Sequence, residues 1–238
     1  MIIAEPIDYA LEGKPHQGLL VRDDARTEPG PTVLSFHAWD GRTEAHDVFA
    51  HRLAALGWTA FSVDLYGKGV VGVSTEECQA LMNPLIGDRG RLRSMLLDTV
   101  STVAALPQVD AARMAAIGFC FGGLCMLDLA RAGAPLRGVA SFHGLFIPPE
   151  LPLVTPIVPK VVAYHGWSDP MAKPDSVVAF AEEFTAAGAD WQLHSFGGAL
   201  HGFMNEGANS PEMGVLYDAK VASRAWDGMA GFLTEVLA

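Results

Sequence analysis

Cysteine and positive charge are scarce in this chain of 238 residues. There are only three cysteines, and 16 Lys and Arg stand against 27 Asp and Glu, for a net charge of −11. Cys78, Cys120 and Cys125 show no CxxC spacing, which argues against a disulfide framework or a zinc knuckle. The scattered Arg89, Arg91 and Arg93 form the nearest thing to a basic cluster, so neither nucleic acid nor an anionic membrane is an expected partner. No GxxxxGK[ST] or HExxH pattern occurs, so neither a P-loop nucleotide site nor a zinc site is expected. The stretch MIIAEPIDYALEGK has no basic leader followed by a long apolar run, so it reads as neither a signal peptide nor a membrane span, and the cytoplasm is the expected location.

Half of the residues are hydrophobic and 18% are charged, the composition of a globular protein with one sizeable core, and one domain over 1–238 is expected. Short apolar runs recur at 32–36, 59–63, 113–118, 138–142, 160–165 and 191–196. Helix-compatible stretches separate them at 44–56, 74–86, 88–106, 121–133, 174–188 and 214–236. Strands alternating with helices predict an α/β fold, with a mostly parallel central sheet covered by helices on both faces. Residues 5–22, broken at Glu12-Gly13-Lys14-Pro15, read as an antiparallel hairpin opening that sheet. In such sheets the chemistry gathers in loops beyond the carboxyl ends of the strands.

One of those corners reads Gly118-Phe119-Cys120-Phe121-Gly122-Gly123, between an apolar strand and an apolar helix. This is the nucleophile-elbow pattern, G-x-C-x-G, with cysteine in the place of serine. The glycines are needed because the nucleophile sits on a sharp turn, where a Cβ two residues to either side would strike neighbouring backbone. A thiol at the amino end of a helix also meets the positive end of its dipole, which favours the thiolate. Cys78 and Cys125 carry no comparable pattern and read as inert.

A thiol nucleophile needs a base, and the base needs a carboxylate to fix its tautomer, in the chain order nucleophile, acid, histidine. Of eight histidines, only His201 lies in a glycine-rich loop after the last strand, FGGALHGF. Asp169, in the loop of HGWSDP, is the matching acid, and Asp175 and Asp190 are explained as helix-start and turn residues. The oxyanion hole is expected from the backbone N–H groups of Phe121 and Ala38, the latter in the loop SFHAWDG. His37 either shapes that loop or touches the thiol, and His37, Trp39 and Phe203 are candidates for contact with substrate. His46, Asp47 and His51 read as an exposed polar helix face rather than a metal site.

With the elbow, HGWSDP and LHGF in place, and with DLYGKG and FHAWDG after two earlier strands, the sequence resembles the dienelactone hydrolase family of α/β-hydrolases over nearly its whole length. The resemblance implies Cys120 as nucleophile, Asp169 as orienting acid and His201 as base, acting on a small ester or lactone with neither metal nor organic cofactor. The sequence departs from the family's best-characterised type at two places. A glutamate expected in the loop after the third strand is replaced by His37, and the arginine shortly after the catalytic histidine is absent, with Asn205 offered instead. These departures bear on how the thiol is activated and on whether a carboxylate-bearing substrate is taken. A non-catalytic ligand-binding protein on the same fold and a thiol redox sensor are the alternatives from other classes.

Overall fold

The alternation of apolar runs with amphipathic stretches produces one large sheet in the computed structural model, which describes residues 1–238. The hairpin comes first, as β1 (Ile2–Leu11) and β2 (Lys14–Asp23), turned at Glu12 and Gly13, whose φ values of 52° and 73° are those of a primed hairpin turn. Then follow β3 (Gly30–Phe36), α1 (Glu44–Ala55), β4 (Thr59–Val63), α2 (Thr75–Ile86), α3 (Arg89–Ala104), β5 (Val109–Phe119) and α4 (Phe121–Arg131). The second half runs β6 (Gly138–Phe142), β7 (Lys160–Gly166), α5 (Pro174–Ala186), β8 (Trp191–Phe196) and α6 (Ala219–Val236). The strands lie in the order β1-β2-β4-β3-β5-β6-β7-β8, parallel from β4 onward and antiparallel across the hairpin and its junction with β4.

Successive strand residues point to opposite faces, and each face is buried. Leu34 and Ala116 pack with Leu96 of α3, Leu127 of α4 and Phe180 of α5, whereas Val33, Ala115 and Ile117 pack with Leu53 of α1 and Trp226 and Phe232 of α6. The chain passes from β3 outward to β4 and then back across to β5, so the strand order reverses between β3 and β5. At such a reversal a crevice opens beyond the carboxyl ends of the strands. The register pairs Phe36 with Gly118 and Phe119 with Phe142, placing the exits of β3, β5 and β6 side by side at that crevice.

Two expectations require correction. The helix expected over 214–236 does not include residues 214–218. Two short strands, β9 (Asn209–Ser210) and β10 (Val215–Leu216), enclose a turn closed by Gly214 at φ 76°, and α6 starts only after Asp218 caps the N–H groups of Lys220 and Val221. On α1, His51 is exposed as expected, but His46 is buried, its Nε2 3.0 Å from the Ser35 carbonyl. Asp47 is committed to the fork of Arg42 at 2.9 and 2.8 Å and to the Ser62 hydroxyl at 2.6 Å. No helix is long and apolar enough to cross a membrane.

Helix α4 is buried along its whole length, and its two charged residues are neutralised inside the protein. Asp128 receives a bidentate pair of hydrogen bonds from Arg89 of α3 at 2.7 and 2.6 Å, and Arg131 reaches both Asp128 and Glu183 of α5. Arg89 also donates to the carbonyl of Ile147, and the N–H of Val154 donates to that of Arg131, fastening the proline-rich connection of 147–159 across α4.

Candidate active site

Cys120 stands between β5 and α4 with φ 53° and ψ −108°, outside the comfortable region for a residue with a side chain. The surrounding glycines explain how the corner closes. A Cβ on Gly118 would lie 2.2 Å from the carbonyl oxygen of Gly122, one on Gly122 would lie 2.3 Å from that of Phe36, and one on Gly123 would lie 2.7 Å from Cα of Gly144. The Cys120 N–H donates to the Phe142 carbonyl at 3.0 Å, and its own carbonyl accepts from Leu124 at 3.1 Å, so the corner is fixed on both sides. Cys120 is partly exposed, whereas Cys78 and Cys125 are buried, and desolvation pushes both of those thiols up.

Asp169 follows β7 and His201 follows β8, and the two meet over the elbow. Nδ1 of His201 donates to Oδ2 of Asp169 at 2.7 Å, while Oδ1 of Asp169 accepts the N–H of Met171 at 2.8 Å. The short ribbon holds the histidine by its backbone, with His201 N–H bonded to Gly214 and Leu216 N–H bonded to His201. With Nδ1 committed to the carboxylate, Nε2 is the nitrogen left for the thiol. Burial opposes a charge on this imidazole, but the charge of Cys120 and the hydrogen bond to Asp169 outweigh it and raise its pKa to about 10.

The loop leaving β3 is bonded to the elbow through the N–H of Gly122, which donates to the His37 carbonyl at 3.0 Å. The ring of His37 is fully buried and fully used: Nε2 accepts the Leu65 N–H at 3.2 Å and Nδ1 donates to the Ala38 carbonyl at 2.6 Å. Burial lowers its pKa, in keeping with a neutral imidazole serving as one acceptor and one donor. His37 therefore shapes the loop, and its ring has no nitrogen left for a substrate. The N–H of Ala38 has no acceptor in the protein, and the N–H of Phe121, first residue of α4, lies where a helix provides none. Both N–H groups are thus left unspent by the protein.

Of the remaining candidates, Trp39 is half-buried, with its carbonyl accepting the Tyr66 hydroxyl at 3.1 Å. Phe203 is fully buried against His143 and Phe196 at centroid distances of 5.1 and 5.8 Å, so it packs behind His201. Tyr66 escaped the sequence reading. It stacks on Phe121 with centroids 6.0 Å apart and lies 4.7 Å from His37, bridging the elbow and the β3 loop. Its place in DLYGKG, directly after a strand, was the available signal.

Comparison with known proteins identifies the family. The sequence profile of the dienelactone hydrolase family matches residues 17–237. A protein of Aquifex aeolicus, provisionally named a carboxymethylenebutenolidase, is 27% identical over 215 residues, covering 87% of this chain and 89% of its own. Among solved structures, one named m3DLH is 33% identical, with a TM-score of 0.93 and coverage of 100% of this chain and 99% of its own. A dienelactone hydrolase-like promiscuous phosphotriesterase from metagenomic libraries is 31% identical, with the same TM-score of 0.93 and the same coverage of 100% and 99%. With the family profile spanning nearly all of an α/β fold built around this crevice, the chain belongs to the dienelactone hydrolase family and is a hydrolase.

Proposed function

We propose that the protein hydrolyses small, uncharged carboxylic esters or lactones through Cys120, His201 and Asp169, by way of an acyl enzyme on the cysteine. The observation that carries this reading is the 2.7 Å bond from His201 to Asp169, made beside a partly exposed thiol on a strained corner. The thiolate attacks the ester carbonyl, and the N–H groups of Phe121 and Ala38 hold the oxyanion as it forms. The imidazolium of His201 then gives its proton to the departing alkoxide, while Asp169 keeps Nδ1 as the donor and Nε2 toward the sulfur. Water releases the acyl group in the second half of the cycle. None of these steps draws on a metal or an organic cofactor.

The preference for uncharged substrates rests on the charges around the loops. No arginine follows His201 in 202–217, Arg42 is committed to Asp47, and the half-buried carboxyl of Asp40 lies in the oxyanion loop itself. A substrate carboxylate would meet no free guanidinium there and would be repelled by Asp40. Phosphotriesters are a second substrate class. A neutral phosphoryl centre meets the same preference for uncharged substrates, and the phosphotriesterase relative supports that reading.

The test is hydrolysis of aryl esters, alkyl esters, enol lactones and a phosphotriester, each carboxylic substrate with and without a terminal carboxylate, by wild type and Cys120→Ala. Loss of turnover in the variant and preference for the uncharged members are expected. Undiminished turnover by Cys120→Ala would contradict the proposal, and would turn attention to a binding protein or a thiol sensor.

A further inference from the structure

The triad makes no use of His143, which is nonetheless placed against it. It is the residue leaving β6, directly after Phe142, whose carbonyl accepts the Cys120 N–H. Its backbone lies at φ 38°, in the left-handed region that few residues with a Cβ adopt. The side chain is only 2% exposed. Its ring stands edge-on to that of His201, with centroids 5.1 Å apart and an angle of 68°, and Phe203 and Phe119 close around it at 5.1 and 6.2 Å.

Neither ring nitrogen of His143 has a hydrogen-bond partner in the protein. Buried polar groups are almost always paired, and an imidazole offers one donor and one acceptor when neutral. Burial, reinforced by the charge of His201, lowers its pKa well below the ordinary histidine value, so it remains neutral beside a cationic neighbour. A neutral, enclosed donor and acceptor touching the general base is suited to a small hydroxylic molecule that the base must itself handle.

We propose that His143 contacts the water that cleaves the acyl enzyme. The inference rests on the acyl-enzyme reading above. In that step the water oxygen bonds to the acyl carbon while one of its protons passes to Nε2 of His201. The C–S bond then breaks, its electron pair returns to the sulfur of Cys120, and the carboxylic acid leaves. His143 gains and loses no proton; its acceptor nitrogen takes the water's second O–H and aims the oxygen. Acylation consumes no water, so His143 serves one half of the cycle.

Rapid mixing with 4-nitrophenyl acetate separates the halves, since the burst reports acylation and the later linear phase reports release. His143→Phe keeps a ring and removes both nitrogens, and His143→Asn tolerates the positive φ while falling short of His201. In both, the linear phase is expected to fall about tenfold or more while the burst rate stays within about twofold, and acetylated Cys120 should accumulate on peptide mapping. His143→Gln, with a longer amide, should recover part of the loss. An unchanged linear phase, or an equal fall in both phases, would overturn the proposal. A wild type with neither burst nor Cys120 adduct would remove the acyl-enzyme reading itself, and this inference with it.

Discussion

The N–H of Gly122 donates to the carbonyl of His37, joining the turn that carries Cys120 to the loop leaving β3, the proposed source of the second oxyanion donor. An added Cβ at Gly122 would sit 2.3 Å from the Phe36 oxygen and 2.7 Å from that of His37, both of them backbone. Gly122→Ala therefore has to push β3 and β5 apart at their carboxyl ends. We expect it to cost about 1–3 kcal/mol in chemical denaturation and to lower kcat with little change in KM, because the Ala38 N–H moves away from the oxyanion. Wild-type kcat in a destabilised Gly122→Ala protein would separate the loop from catalysis.

The charge on His201 sets the alkaline side of the pH profile. Its pKa, raised from the ordinary histidine value to about 10, keeps the imidazolium present through neutral pH and loses it as pH rises through about 10. In the proposed mechanism the imidazolium is the proton donor to the leaving oxygen, so acylation by an alkyl ester should fall across that upper range. A nitrophenyl ester, whose phenolate departs without a proton, should fall less. An alkaline limb centred near the ordinary histidine value for both esters would contradict the raised pKa.

In the proposed triad Asp169 acts through its histidine. Replacing it with Asn leaves the loop's size unchanged but removes the carboxylate that fixes Nδ1 as a donor. By analogy with other triads, kcat for ester hydrolysis should fall by about a hundred- to ten-thousand-fold, with the melting temperature changed much less than activity. Comparing both quantities in Asp169→Asn checks the assignment.

The ion network beneath the elbow predicts the reverse pattern. Asp128 is 2% exposed and bonded to Arg89 and Arg131, so Asp128→Ala leaves two guanidinium groups short of their buried partner. A loss of about 3–5 kcal/mol in unfolding free energy is expected. At a temperature where the variant stays folded, its kcat should be close to wild type, since no member of the network touches the triad.

Much of this arrangement was legible in the residues, for identifiable reasons. Strands covered on both faces give nearly unbroken apolar runs, so the parallel sheet is readable from Thr32 to Phe196. The elbow is readable because only glycine fits at positions 118 and 122, and His201 because its loop follows the last long strand. What escaped depends on partners far along the chain. His46 turns inward to the Ser35 carbonyl, Asp128 survives in an apolar helix because of Arg89, and the bonds of His37 to Leu65 and Ala38 leave no mark in its own neighbourhood. The β9–β10 ribbon is too short to carry a period. Phe203 looked available in a glycine-rich loop, and packing against Phe196 and His143 buries it.

The central claim is that Cys120 carries the acyl group, and the direct measurement is to quench wild-type protein in acid during turnover of an aryl ester and map the mass of each cysteine peptide. The account predicts the acyl mass on Cys120 alone, with the buried Cys78 and Cys125 unmodified as internal references. Turnover with Cys120 unmodified at every quench time, and persisting in Cys120→Ala, would contradict it.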